Sequence, residues 1–390
     1  MATLPEAREP VGLDARQSRA VQMINRYHRF RNPGYHSASM EGTQSPAVDR
    51  AASLNRYGFV DAIRGIAAMA VVIEHAIESY YGQGVADTQM FSFGQFGVAA
   101  FLFVSGFVVP VSLERSQSVA KFWIGRFFRL YPLYWFTLLV VAPLALATYT
   151  GQEPFNPHNP VHWLGNVTML QQFVGIPHAV GAFWTLTIEM VLYGTYTVLF
   201  WRGQLSKSWK IAWWVLSLSL LLAVVIPFLI HRRLPGGSSG AYIFYFLTAF
   251  VGTVGYRWHT GKVETKLFSI LMAAAAVVGS GIAYVLYSRF RSENVPMSFE
   301  CALFTWLAAY AFIVVMLALR KVRIPGFLVW TGRVSYSIYL LHFLPIYFMP
   351  KSLPFWAYTV AICIAIVALS SAQRIVLLIS PRRAEWPLPR

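Results

Sequence analysis

Apolar runs long enough to cross a bilayer recur along this chain, and they leave few folds open. Crossing about 30 Å of hydrocarbon takes roughly 20 mostly apolar residues at about 1.5 Å of helical rise each. Runs of that kind fall near 58–81, 92–112, 128–149, 182–201, 211–230, 241–258, 267–288, 299–319, 332–350 and 355–373. Inside lipid every backbone N–H and C=O must be paired within the protein, so runs of this length fold as helices. The expectation is an all-α, polytopic transmembrane helical bundle of about ten spans. Composition agrees, with 56% apolar and 12% charged residues against about 45–50% and about 25% in soluble domains. The run 161–175 carries His162, Asn166, Gln171 and Gln172. It is too polar to cross alone and is expected as a re-entrant or surface helix. No internal repeat of the kind found in secondary transporters is visible.

A net charge of +16 would suggest a nucleic-acid partner in a soluble protein. Here the basic residues lie between apolar runs, so membrane topology accounts for them and no nucleic acid is expected. With the amino-terminal segment placed in the cytoplasm, only Arg232, Arg233, Arg289, Arg291 and Lys351 of the 32 Lys and Arg fall outside, while Arg64 lies within a span. All the others fall inside, and a frame shifted by one helix destroys the asymmetry. Both termini are therefore expected to be cytoplasmic. Residues 1–57 are polar and Arg-rich, with no apolar signal-peptide core. They read as a mobile cytoplasmic tail, either solvated or touching anionic membrane lipid. Residues 58–380 form the transmembrane domain and 381–390 a short cytoplasmic end. Cys301 and Cys363 sit in apolar runs, so neither a disulfide framework nor a metal site is expected.

An ionisable group inside a bilayer costs about 2.5–3.5 kcal/mol on insertion scales, so it reads as functional by default. In the first span, Arg64 and His75 are eleven residues apart, which puts them on one helical face and roughly 16 Å apart in depth. Asp61 precedes Arg64 by one turn and can pair with it. The bland alternatives are a snorkelling arginine and a hydrogen-bonded packing histidine. Glu74 points about 100° away from His75, and Glu78 lies near the outer end; neither is assigned. Ser105–Gly106–Phe107 lies toward the inner end of the second span, whereas Gly94 and Gly97 read as helix packing. Arg126 and Arg129 fall one turn apart at the inner surface, followed by Tyr131, Pro132, Tyr134 and Trp135. They read equally as a positive-inside anchor with an aromatic belt and as an anion site for the phosphates of a cytoplasmic cofactor. Glu189 is a lone carboxylate in the fourth span, and His342 lies past the midpoint of the ninth. Counted in helical rise, His75, Glu189 and His342 fall in the outer half of the bilayer. Asp61, Arg64, Ser105, Arg126 and Arg129 fall near the inner face. Such a layout suits a reaction that draws an anionic donor from the cytosol and delivers part of it across the membrane.

The segments FVDAIRGIAAMAVVIEHA, FGQFGVAAFLFVSGFVV, FWIGRFFRLYPLYW, FWTLTIEMVLYG and GRVSYSIYLLH, taken in order, resemble the membrane acyltransferase-3 family. These are integral-membrane O-acyltransferases of bacterial polysaccharides and surface glycans. The resemblance runs from about Tyr57 to Ile379. It implies a place in the bacterial cytoplasmic (inner) membrane, acetyl-CoA as acyl donor, and a carbohydrate or glycolipid acceptor. It also implies that Arg64 and His75 are the family's essential pair, that Arg126 and Arg129 are its paired basic residues, and that Ser105–Gly106–Phe107 is its serine–glycine–phenylalanine element. Glu189 resembles the glutamate of its tryptophan-led motif, although WTLTIEM departs from the more polar ending of many members. The mechanism expected from this has Arg126, Arg129 and Arg64, with Ser105, holding the donor. His75 is the base, with Glu189 orienting its imidazole, or is itself transiently acylated, and Asp61, Gly106 and His342 support the site. A homo-oligomer stays open. The rival class is a transporter or flippase that uses the same buried charges as a solute path.

Overall fold

The structure, a computed structural model, describes residues 57–82, 89–151, 153–231, 239–290 and 297–379. The tail expected at 1–57, apart from Tyr57, and the end expected at 381–390 lie outside the described residues. Within them the chain is all-helical. The elements are α1 (Gly58–Tyr81), α2 (Phe93–Ser116), α3 (Val119–Thr148), α4 (Pro160–Val167), α5 (Trp184–Trp201), α6 (Ser208–Leu220), α7 (Ser239–His259), α8 (Thr265–Tyr284), α9 (Phe299–Ala318), α10 (Gly326–Arg333), α11 (Ser335–Leu341), α12 (Phe343–Phe348) and α13 (Phe355–Ile379).

Among the described residues, 6 helical stretches are long and apolar enough to cross a membrane. They comprise α2, α3, α5 with its preceding turn, and α6, α8 and α9 with their continuations. Several of these present large apolar side chains outward. Phe128 is 71% exposed, Leu139 73%, Trp214 76% and Val277 72%. In water so much outward apolar surface is a liability, whereas lipid is its natural solvent. The protein is a multi-pass membrane protein. Helix α1 is the inverse case. It is 24 residues long but carries Asp61, Arg64, Glu74 and Glu78, and it is walled in by α2, α10, α11, α12 and α13.

Two backbone close approaches fix the helices around the site. Gly332 of α10 lies against the Asp61 backbone of α1, where any Cβ would collide. Gly106 of α2 lies in the same way against the Ala249 carbonyl of α7. Small residues that let helix backbones touch are the usual way helices associate in lipid. Gly106, expected to support the site, thus acts by holding α2 on α7.

The run 332–350 differs from the single helix its hydropathy suggests, and folds as α10, α11 and α12. Pro345 has no N–H to donate to the Leu341 carbonyl, so the helix is interrupted beside His342. The polar run 161–175 forms the eight-residue α4 and a 3-10 turn at Gln171–Val174, too short to cross a bilayer. Three side chains of α3 tie it down. Tyr134 Oη donates to the Asn166 carbonyl at 2.6 Å, Tyr131 Oη to that of Thr168 at 2.9 Å, and Trp135 Nε1 to that of Val167 at 3.0 Å. Trp135 stands thirteen residues before the end of α3, about 20 Å back along the helix. The segment therefore runs back alongside α3 instead of capping it.

Candidate active site

The polar residues of the spans gather into two clusters along α1. Around Arg64, four helices contribute to one small cavity lined by Arg64, Ser105, Arg126, Arg129 and Glu189. Its volume is about 20 Å³, room for roughly one water. Arg126 is buried, and its guanidinium carbon lies 5.1 Å from the ring centroids of both Phe122 and Tyr193. Tyr193 Oη donates to the Glu189 carboxylate. The Arg64 guanidinium carbon lies 5.5 Å from the Phe101 ring. Flat aromatic faces suit guanidinium groups, which are weakly hydrated and attracted to ring quadrupoles. Arg126 also lines an open cleft of about 420 Å³ along α3, with Trp123, Phe127 and Tyr131, so the buried cavity and the open cleft meet at one side chain.

The second cluster surrounds His75. Its Nδ1 is 2.8 Å from Glu78 Oε2, one turn on. An ionised carboxylate only accepts, so Nδ1 is the donor, and in the neutral form of the ring Nε2 holds the lone pair. The His75 ring stacks on that of His342, with centroids 5.1 Å apart and planes 15° apart. His342 is 2% exposed, and its Nδ1 lies 2.7 Å from the Tyr339 carbonyl oxygen. Carbonyls also only accept, which assigns that ring its tautomer as well. Tyr339 Oη in turn donates to the Ala182 carbonyl at 2.6 Å and meets Thr185 Oγ1. A buried histidine thus serves as a fixed plate under a partly exposed one.

Between the clusters lies a second cavity of about 20 Å³, whose lining includes Ala67, Val71, Gly97, Phe101, Glu189 and Tyr339. Phe101 and Glu189 border both cavities.

Of the residues singled out from sequence, Arg64, Ser105, Arg126, Arg129 and Glu189 converge, and so do His75 and His342. Glu189 does not join His75 as expected. It lies with the arginines and Tyr193, and the carboxylate on the imidazole is Glu78, which had been left unassigned. The i, i+3 spacing was the available signal. Asp61 meets Arg333 of α10, with Nε 3.6 Å from Oδ2, because the Gly332 contact brings that arginine over the first turn of α1. Glu74, also unassigned, caps α2: its carboxylate accepts from Ser92 Oγ at 2.9 Å and from Phe93 N at 3.0 Å, where a helix N-terminus favours negative charge. Arg257, counted among the cytoplasmic loop charges, is instead buried (3% exposed) and ion-paired with Glu114, tying the end of α2 to α7.

The family profile described as an acyltransferase domain matches residues 57–372. The chain belongs to the acyltransferase-3 family. The match takes in every residue of both clusters. Among curated relatives, an acyltransferase named MdmB from Streptomyces mycarofaciens is 26% identical over 190 residues, covering 46% of this chain and 48% of its own. Nodulation protein 10 from Rhizobium leguminosarum bv. viciae is 27% identical, covering 38% of this chain and 45% of its own. The peptidoglycan O-acetyltransferase OatA of Listeria monocytogenes is 26% identical over 324 residues, covering 73% of this chain and 48% of its own. The chain thus spans about half the length of these relatives. No solved structure matches it.

Proposed function

We propose that this protein is an O-acetyltransferase of the bacterial inner membrane that passes an acetyl group from cytoplasmic acetyl-CoA to a hydroxyl of an extracytoplasmic carbohydrate or glycolipid. The accompanying topology is ten crossings with both termini cytoplasmic, the segment 1–57 as an inner tail and 381–390 as an inner end. The observation that carries the reading is the separation of two chemically different clusters along one helix. Arg64 and His75 are eleven residues apart on α1, about 16 Å of rise, with a cationic site at one end and an acid–base pair at the other.

The donor end has the composition an anionic ligand needs. Three guanidinium groups face one carboxylate, and guanidinium forks pair well with phosphate oxygens. A cavity holding about one water cannot take a whole coenzyme. The fit is therefore to phosphates approaching along the open α3 cleft, with Arg126 as the shared wall. Acetyl-CoA, when bound, supplies the activated thioester. At the other end His75 Nε2 takes the acceptor hydroxyl's proton as that oxygen bonds the acyl carbon, and the C–S bond breaks with the electron pair and then the proton passing to the departing CoA sulfur. Glu78 holds the ring in the required tautomer and stabilises the imidazolium. His342 keeps the ring plane fixed. The transporter reading has less support, since the sequence shows no internal repeat and no alternating series of intramembrane carboxylates.

The test is complementation of a deletion strain with wild-type and His75→Ala protein, followed by mass spectrometry of surface glycans. The wild type restores the acetyl mass increment. His75→Ala restores none, although the variant inserts and is thermally stabilised by acetyl-CoA. Undiminished acetylation by His75→Ala sinks the assignment.

A further inference from the structure

The end of α3 remote from Arg126 opens into a cleft of about 290 Å³ that the scheme above leaves unused. Its walls include the rings of Tyr149, Phe155, Phe343 and Tyr347, and its polar lining includes Thr148 and Glu153. Two of the rings are braced by neighbours. Phe155 packs edge-on against Trp163 at 4.9 Å, and Tyr149 against His158 at 5.5 Å. Tyr347 is 50% exposed, with its ring set edge-to-face with that of Phe348 at 5.0 Å. Thr150 orients the Glu153 carboxylate, donating from its N–H at 3.1 Å and from Oγ1 at 2.9 Å.

Flat apolar faces beside a carboxylate and a hydroxyl match a pyranose ring. Its axial C–H faces are apolar and pack on aromatic rings, while its equatorial hydroxyls donate to carboxylate oxygens in charge-assisted bonds. The volume lies at the small end of ligand pockets, enough for one ring of a larger glycan.

Position argues the same way. Phe343 directly follows His342, which stacks on His75. Val180, also in the wall, lies two residues before Ala182, whose carbonyl anchors Tyr339 and through it His342.

We propose that this cleft is the acceptor subsite, binding one pyranose ring of the glycan next to the histidine pair, with Tyr347 as stacking platform and Glu153 as hydroxyl acceptor. The proposal rests on the acyl-transfer reading for its chemistry, but binding can be read separately. The probe is surface glycan from the deletion strain, de-O-acetylated by mild base, offered to full-length protein in nanodiscs. Transfer of radiolabelled acetyl from acetyl-CoA and glycan-induced thermal stabilisation are measured in parallel. Tyr347→Ala and Glu153→Gln are each expected to raise the KM for glycan tenfold or more and to leave the KM for acetyl-CoA unchanged. Tyr347→Phe keeps wild-type behaviour. Wild-type glycan saturation in both Tyr347→Ala and Glu153→Gln overturns the subsite. If wild-type protein transfers no acetyl group, the acyl-transfer reading has failed and the thermal shift alone decides. A shift present in wild type and lost in both variants upholds the cleft; an equal shift, or none in wild type, overturns it.

Discussion

The carboxylate on His75 can be tested directly with Glu78→Gln. In the native arrangement Nδ1 donates to Glu78 Oε2 at 2.8 Å, and both side chains are about one-third exposed (35% and 30%). A hydrogen bond to a charged group is worth about 1.5–3 kcal/mol net. Partial access to water puts this one at the lower end, about 1.5 kcal/mol. That corresponds to roughly a tenfold loss in rate. A further loss comes from the amide itself, which has an NH₂ as well as a carbonyl. If the NH₂ turns toward Nδ1, the ring proton moves to Nε2 and the base is gone. The fall therefore belongs in kcat, with the KM for acetyl-CoA unchanged because the donor end lies about 16 Å away. Initial rates of acetyl transfer in nanodiscs, with both substrates varied, separate the two constants. Glu78→Asp keeps the charge on a shorter stem and should fall between wild type and Glu78→Gln. A folded Glu78→Gln enzyme with wild-type kcat would refute the reasoning. So would a series in which Glu189→Gln loses kcat and Glu78→Gln does not, because the imidazole would then take its orientation from the other carboxylate.

Two further outcomes test the remaining parts. Arg126→Gln should raise the KM for acetyl-CoA about tenfold, the loss of one charge-assisted contact, and reduce its thermal stabilisation; an unchanged KM removes Arg126 from the donor site. Glu114→Gln leaves the buried Arg257 guanidinium without its charge partner, a change that costs about 3–5 kcal/mol in buried pairs. Glu114 is 28% exposed on its side chain, so the lower figure applies, and melting should fall by several degrees. Unaltered melting would show that the pair is not structural.

The fold class was legible because apolar run length is a one-dimensional property and lipid admits few answers to it. The spacing of residues along one helix was legible for the same reason, whereas layers counted across helices were not, since Glu189, counted with His75, lines the Arg64 cavity. Hydropathy could not say which neighbour each helix touches. Glu189 was paired with His75 by depth, yet the structure turns it toward Arg64, Arg126 and Tyr193. Asp61 has an arginine one turn along its own helix and takes a different one, because Gly332 lets α10 come closer than side chains normally permit. Arg257 looked like one more inner-loop cation, since its partner Glu114 lies 143 positions away. The tyrosines and tryptophan after Arg129 had the look of an interfacial belt, but their polar atoms are used to hold the 161–175 segment. Run length also overstated the helix at 332–350, where Pro345 outweighs the hydropathy.

That last anchorage bears on how such an enzyme can diversify. Tyr131, Tyr134 and Trp135 hold the returning segment by its main-chain carbonyls, which every amino acid possesses. Side chains whose polar atoms are not used within that segment can therefore be exchanged without loosening its mooring to α3, whereas Asn166, whose amide bonds His162, Pro177 and Ala179, cannot. A mooring made to features common to all residues leaves the exposed identities around it free to follow the ligand. The stretch from Tyr149 to Val180 is thus the place where a lineage could rewrite what it recognises while the catalytic end stays as it is.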